Sequence, residues 1–97
     1  MYKTIKPINT GLQKDQFELV TSILARKLSD ISQVTIGEGF NLCLSINEKM
    51  RFDAYEIKFV ENGVSVGGGS ILGVLGGIGR VLMQGTFKGA IFIPGKY

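Results

Sequence analysis

Hydrophobic positions change their period several times along the chain. From Asp15 they recur every three or four residues, which predicts a first helix over about Lys14–Ser29. The apolar stripe of this helix consists of Phe17, Val20, Leu24, Leu28 and Ile31. Leu19 and Ile23 widen the stripe, so we expect the helix to pack on a sheet rather than along one narrow seam.

Three segments alternate apolar and polar residues with the period of two that is typical of a half-buried strand. The first is Phe40–Ile46, the second begins at Tyr55, and the third is Val64–Val66. Residues 61–63, Glu-Asn-Gly, separate the last two, and Asn-Gly supplies the positive φ angles of a tight type I′ turn. The sequence therefore predicts a β-hairpin here.

Weaker signals mark one strand near each end of the sequence. Lys3–Ile8 has β-branched residues, although Pro7 restricts such a strand to a sheet edge or a strand end. Gly89–Ile93 predicts a last short strand, and Pro94-Gly95 after it is typical of a linker.

A glycine-rich segment follows the hairpin. Ser70 is placed to cap a second helix, and Gly85 to end it. One side of this helix carries Ile71, Val74, Leu75, Ile78 and Leu82. Four glycines interrupt it, namely Gly73, Gly76, Gly77 and Gly79. Each costs about 0.5–1 kcal/mol relative to alanine, so the helix must gain its stability from close packing.

Together these elements predict an α+β domain of order β-α-β-β-β-α-β. We expect a single layer of mostly antiparallel sheet, with about five strands and two helices packed on one face. The 97 residues leave room for one domain, residues 1–97, with one core. Apolar residues at 44% and charged residues at 20% are ordinary for a folded chain.

Charge, cysteine content and hydropathy restrict the classes of partner. The net charge is only +3, and no run of lysine or arginine could follow a phosphate backbone, so we expect no nucleic acid partner. Cys43 is the only cysteine, which excludes an internal disulfide, and we expect it to be a small buried hydrophobe. The apolar run Ile71–Met83 is too short to cross a bilayer, and residues 1–9 have no signal-peptide pattern. We therefore expect no membrane partner, with the cytoplasm as the default location.

Motifs for cofactor chemistry fail on spacing. A dinucleotide-binding GxGxxG that begins at Gly67 requires glycine where Leu72 stands, and the preceding strand belongs to the predicted antiparallel hairpin. No glycine-rich run has the Lys-Ser/Thr ending of a phosphate-binding loop. An anion at the Ser70 helix start would be incidental. No cofactor is therefore predicted.

Residues for catalysis are also scarce. The sequence has no histidine, so Ser–His and Cys–His nucleophiles cannot be assembled. Glycoside hydrolysis needs two carboxylates about 5–9.5 Å apart, whereas the acidic residues here mostly fall on predicted turns or polar faces. We expect Glu56 and Glu61 to be solvated charges, and Tyr55 to be a core aromatic with its hydroxyl at the sheet margin. The sequence thus predicts no catalytic, cofactor-binding or metal-binding residue.

Several motifs of the second half belong together. They are a strand around a tyrosine (Ala54–Ile57), a strand of small residues (Val64–Gly69), a helix opening with Gly73-Val74, a second glycine (Gly77) and the pair Val81-Leu82. This run resembles the small domain that precedes the catalytic barrel in β-N-acetylhexosaminidases of the chitobiase type, α-glucuronidases and α-N-acetylglucosaminidases. The helix ending Leu24–Leu28 and the strand Phe40–Ile46 are similar to the first half of that family. Gly76 departs from it, since many members carry a larger residue there.

The resemblance implies an accessory domain that supplies no catalytic residue. Its partner would be the downstream (β/α)8 catalytic barrel of the same polypeptide, which takes about 250 residues. We therefore expect residues 1–97 to be a fragment of a longer glycoside hydrolase of carbohydrate metabolism. The alternative is a free-standing binding or oligomerisation module whose glycine-rich helix packs on a second copy, giving a homodimer of the isolated chain. Direct carbohydrate binding is disfavoured because the sequence has no tryptophan.

Overall fold

Seven strands and two helices follow one another in the computed structural model, which describes residues 1–97. The elements are β1 (Thr4–Gly11), α1 (Lys14–Ile31), β2 (Thr35–Ile36), β3 (Phe40–Ile46), β4 (Tyr55–Val60), β5 (Gly63–Gly68), α2 (Ile71–Gln84), β6 (Thr86–Lys88) and β7 (Ile91–Ile93). Five of the strands form one sheet, and the buried residues of both helices share one core with it. The predicted α+β class, with about five sheet strands and two helices, is confirmed.

The direction of the strands differs from the expectation. The sheet has the order β2-β1-β3-β5-β4, in which β1 runs parallel to β2 and β3, and β3 runs parallel to β5. Only β4 and β5 are antiparallel. The predicted mostly antiparallel sheet is therefore wrong, and the sheet is mixed. Because β1 and β3 are parallel neighbours, the chain must cross back from the end of β1 to the beginning of β3. Helix α1 lies in this crossover connection, which parallel neighbours require.

Helix α1 contacts the sheet through a narrow stripe. It begins at Lys14 as predicted and continues to Ile31, beyond the predicted end at Ser29. Its buried residues are Val20, Leu24 and Leu28. Leu19 and Ile23 are exposed, so the wide apolar face predicted for this helix is wrong.

The backbone of helix α2 is in direct contact with the sheet. The Ser70 Oγ accepts a hydrogen bond from the Leu72 N–H at 3.2 Å, which is the predicted cap. Gly73 and Gly77 are buried. A Cβ on Gly73 would overlap the carbonyl oxygen of Ala54, and one on Gly77 would overlap a methyl group of Val66. The close packing predicted for this helix is therefore confirmed at two of its glycines.

The hairpin of β4 and β5 is confirmed, but its turn has another conformation. Val60 pairs with Gly63, which leaves Glu61 and Asn62 in the turn. Among these residues only Asn62 has a positive φ, 55°, so the turn is not of type I′. Gly63 is required for a different reason, because a Cβ there would overlap the carbonyl oxygen of Asn41 on β3.

The predicted last strand belongs to a separate hairpin. Strand β7 pairs with β6 rather than with the sheet, and Gly89 has a φ of 61° between them. Phe92 is fully buried, and its backbone exchanges two hydrogen bonds with Tyr2, at 2.9 and 2.7 Å. Phe92 also contacts the rings of Phe40 and Phe87 edge-on or tilted. The hairpin thus closes the end of the core where β1 begins.

Residues 94–97 pack on helix α2 instead of leaving the domain as the predicted linker. Gly95 lies so close to the Gln84 carbonyl that a Cβ would overlap it. The Tyr97 hydroxyl donates a hydrogen bond of 2.7 Å to the Val81 carbonyl, and its ring lies 6.2 Å from the ring of Phe59. This segment therefore connects the end of α2 with strand β4.

Candidate functional site

The acidic residues are spread over the surface. All eight are exposed, namely Asp15, Glu18, Asp30, Glu38, Glu48, Asp53, Glu56 and Glu61. Three of them form surface ion pairs, in Lys6–Glu38 at 2.9 Å, Arg51–Asp53 at 3.4 Å and Lys58–Glu56 at 3.3 Å. No cluster of three His, Cys, Asp or Glu residues is placed to hold a metal ion.

Cys43 and Tyr55 do not lie where the sequence predicts. On β3, Leu42 and Leu44 are buried in the core, so Cys43 between them points to the opposite face and is half-buried. Its predicted burial is wrong. Tyr55 is on the helix side of the sheet but is 37% exposed, with its ring beside Gly76 at the margin of the sheet.

The two faces of the sheet differ in covering. Both helices lie on one face, and neither combines the length and apolar character needed to span a bilayer. The other face is open and carries mostly small or charged side chains, among them those of Asn41, Cys43, Ser45, Glu56, Lys58 and Ser65. A shallow depression of about 140 Å³ on this face is lined mainly by polar residues.

The largest cavity is an open groove of about 370 Å³ on the outer side of α2, which we call the α2 groove. Its lining residues are Lys27, Ile31, Tyr55, Gly76, Gly79, Arg80, Leu82, Met83 and Phe87. Tyr55 of β4 forms one side and residues of α1 form the other. The lining contains two cationic side chains and no carboxylate.

Glycines leave the α2 groove open. A Cβ on Gly76 would reach ordinary contact with the Tyr55 ring, at 3.5 Å. A Cβ on Gly79 would meet nothing within 4 Å, so internal packing does not require glycine there. Gly73 is glycine because the core leaves no room for a side chain. Gly79, by contrast, leaves open space on the surface of the helix.

Exposed apolar side chains line the α2 groove, as Met83 and Ile31 do, or lie on the same side of α2, as Leu72 does. Met83 is 72% exposed and Leu72 is 56% exposed on α2, while Ile31 on α1 is 48% exposed. No residue of this surface is predicted as a site from the sequence. The signal that could have found it is the spacing of Leu72, Gly76, Gly79 and Met83, which places them on the helix side opposite the buried residues.

Comparison with known proteins gives no relative: no family model and no curated protein matches this chain.

Proposed function

We propose that this chain is a non-catalytic accessory domain of a glycoside hydrolase, which packs against a downstream (β/α)8 catalytic barrel and supports it. The α2 groove is the proposed docking surface. The observation that carries the proposal is the exposed apolar side of α2, where Met83 and Ile31 line a groove with a glycine floor and Leu72 is exposed on the same side of the helix. Exposed apolar patches with polar surroundings are typical of protein interaction sites.

The shape and charge of the groove fit such a partner. The outer layer of a (β/α)8 barrel consists of helices, and helices pack by placing ridges of side chains into grooves. The space above Gly79 would admit such a ridge close to the α2 backbone. Lys27 and Arg80 would then face acidic side chains of the partner, since the groove itself offers them no carboxylate.

The second candidate function is a free-standing binding or oligomerisation module. The observation that favours it is the outer edge of β4, which has no neighbouring strand. In the sequence-based form of this alternative, the glycine-rich helix packs on a second copy. The structure draws attention to a different surface, the edge of the sheet.

The first experiment reads the coding sequence downstream of residue 97 and assays the purified chain with aryl N-acetyl-β-glucosaminides and aryl α-glucuronides. We expect an in-frame (β/α)8 barrel and no turnover by the 97-residue chain. Hydrolysis that co-purifies with the folded chain through successive columns would contradict the proposal. A reading frame without a barrel would remove it in favour of the free-standing module.

The second experiment tests the docking surface in the two-domain protein. We expect Met83→Lys to lower the melting temperature of the barrel while leaving the isolated 97-residue chain unchanged, because a charge would be buried at the docked interface. Leu19→Lys is the matched control, since Leu19 is also exposed but does not line the groove. Equal effects of both variants would reject this surface.

A further inference from the structure

Strand β4 is an uncapped edge of the sheet. It is 6 residues long and pairs only with β5, whereas the opposite edge, β2, has 2 residues. Phe59 is 66% exposed and Val60 is 39% exposed. Natural proteins usually shorten, cover or charge such an edge, because its free N–H and C=O groups can pair with another strand.

The backbone groups at this edge can be assigned. The Gly69 N–H donates to the Ala54 carbonyl at 3.0 Å, which makes these two residues a hydrogen-bonded pair beside the β4–β5 ladder. Because such pairs alternate along an antiparallel ladder, Glu56 and Lys58 also point their backbone groups towards β5. The N–H and C=O groups of Tyr55, Ile57 and Phe59 therefore point to the open edge. The free groups are evenly spaced about Ile57.

We propose that the protein forms a two-fold symmetric homodimer in which β4 pairs antiparallel with β4 of a second copy, with Ile57 at the symmetry axis. In this register Ile57 lies opposite Ile57, and Tyr55 lies opposite Phe59 of the second copy. Every free N–H and C=O group of the three outward residues then has a partner. The two five-stranded sheets become one continuous sheet.

Charge makes this strand complementary to itself. Glu56 and Lys58 lie on the same, open face of the sheet, with their charged atoms 3.3 Å apart. Pairing about Ile57 places Glu56 opposite Lys58 of the second copy, and Lys58 opposite its Glu56. The four charges then alternate in sign in both directions, and opposite charges across strands stabilise a pair. A lone lysine on an edge strand would discourage pairing with a second copy. Glu56, two residues before Lys58, makes this pairing favourable.

Other registers are excluded by the same groups. A shift by two residues in one direction would place Glu56 opposite Glu56, and a shift in the other direction would place Lys58 opposite Lys58. Like charges directly opposite destabilise a ladder, and either shift also leaves outward N–H and C=O groups unpaired. A shift by one residue would turn the side chains of one copy to the wrong face. Only the register about Ile57 satisfies both conditions.

Aromatic side chains complete the pairing on the helix side. Tyr55 and Phe59 point to this side, since they pair with Gly68 and Val64 of β5, which are buried. Cross-strand aromatic pairs stabilise antiparallel ladders. Each Phe59 would therefore lie between Tyr97 of its own chain and Tyr55 of the second copy. The dimer would bury the ring that is most exposed in the monomer.

The test measures the mass of the full 97-residue chain by sedimentation over a concentration series. We expect a monomer–dimer equilibrium for the wild type. Glu56→Lys and Lys58→Glu should each raise the dimer Kd at least about tenfold, because each places two pairs of like charges in contact. Glu61→Lys is the matched control: it makes the same charge change in the turn, outside the ladder, and should leave the dimer Kd within about twofold.

The two weakened variants can restore each other. Mixing Glu56→Lys with Lys58→Glu should give a heterodimer, because each cationic strand then faces an anionic one, and the double variant E56K/K58E should dimerise like the wild type. A monomeric wild type at the highest soluble concentration would overturn the proposal. So would a dimer that neither charge variant weakens, since another surface would then form it. Tyr55 belongs to both surfaces, but the α2 groove contains neither Glu56 nor Lys58, so these charge variants test the β4 pairing and not the docking surface.

Discussion

The two helices lie on the same face of the sheet but contact it in different ways. Helix α1 reaches the core with branched side chains, Val20, Leu24 and Leu28. Helix α2 adds Gly73 and Gly77, where the backbone itself comes into contact with the strands. The core beneath α1 therefore depends on large side chains that fill it. The core beneath α2 depends equally on glycines, which have no side chain. A substitution by a smaller side chain should therefore destabilise the protein most under α1. A substitution of a buried glycine by a larger residue should destabilise it at α2.

Removing volume under α1 should have the largest effect. Leu24→Ala would delete a side chain that is 1% exposed, and leucine-to-alanine changes in cores cost about 2–5 kcal/mol. Urea unfolding followed by circular dichroism measures the free energy of unfolding. Leu19→Ala is the control, because Leu19 on the same helix is exposed, and its change should stay within about 0.5 kcal/mol. Similar losses for both variants would show that α1 is oriented differently.

Adding volume under α2 should have the next largest effect. In Gly73→Ala the new methyl group would overlap the Ala54 carbonyl, which belongs to the backbone and cannot rotate away. Overpacking of this kind costs about 1–3 kcal/mol. This cost should exceed the stability gained from the higher helix propensity of alanine. The same unfolding experiment measures it.

Gly79→Ala is the matched control for that prediction. It makes the same change in the same helix, where a Cβ meets nothing within 4 Å. It should raise the free energy of unfolding by about 0.5–1 kcal/mol, the difference in helix propensity between alanine and glycine. If Gly73→Ala stabilises the protein as Gly79→Ala does, the backbone of α2 is not in direct contact with the sheet.

Tyr97 attaches the end of α2, and its loss should have the smallest effect. Tyr97→Phe removes the hydrogen bond to the Val81 carbonyl, and should cost about 0.5–1.5 kcal/mol at neutral pH. Burial raises the pKa of the Tyr97 hydroxyl above its ordinary value of 10.0, opposed in part by a backbone hydrogen bond of Gly95. The unfolded chain therefore loses this proton at a lower pH than the folded chain.

The sign of the pH dependence follows from this order. The contribution of Tyr97 is fully present below pH 10 and declines as the pH rises through the pKa of the folded state. Unfolding curves of the wild type and the variant should consequently converge above pH 10. Curves that stay parallel up to the alkaline limit of folding would contradict the role of the hydroxyl.

Elements with strict periodicity could be predicted closely from the sequence. Strand β3 has the predicted bounds, Phe40–Ile46, because alternation specifies both its length and its buried side. Ser70 and Gly85 end α2 as expected, since caps are local hydrogen-bonding solutions. Strand direction could not be predicted in this way, because periodicity identifies faces and not partners. The parallel β1–β3 ladder depends on the crossover through α1, which spacing alone does not reveal.

The candidate sites were harder to predict for a related reason. Leu19 and Leu24 look alike in a hydrophobic pattern, although one is exposed and the other buried. The open edge at β4 depends on the order of strands in the sheet, in which β4 lies beyond β5 although it precedes β5 in sequence. Both features become visible only when long-range neighbours are known. The Gly79 position is an exception, since a glycine outside the buried stripe is itself a sequence signal.

The two-residue turn between β4 and β5 has a consequence for the order of folding. Closing a short loop costs less chain entropy than closing a long one, and hairpins form in about 1–10 μs. Every parallel ladder in this sheet joins strands separated by much longer segments, and non-local pairing is slow. We expect the hairpin to form first and to act as the template on which β3 and then β1 are added. The strand proposed to recruit a second copy would then be among the first structures to exist.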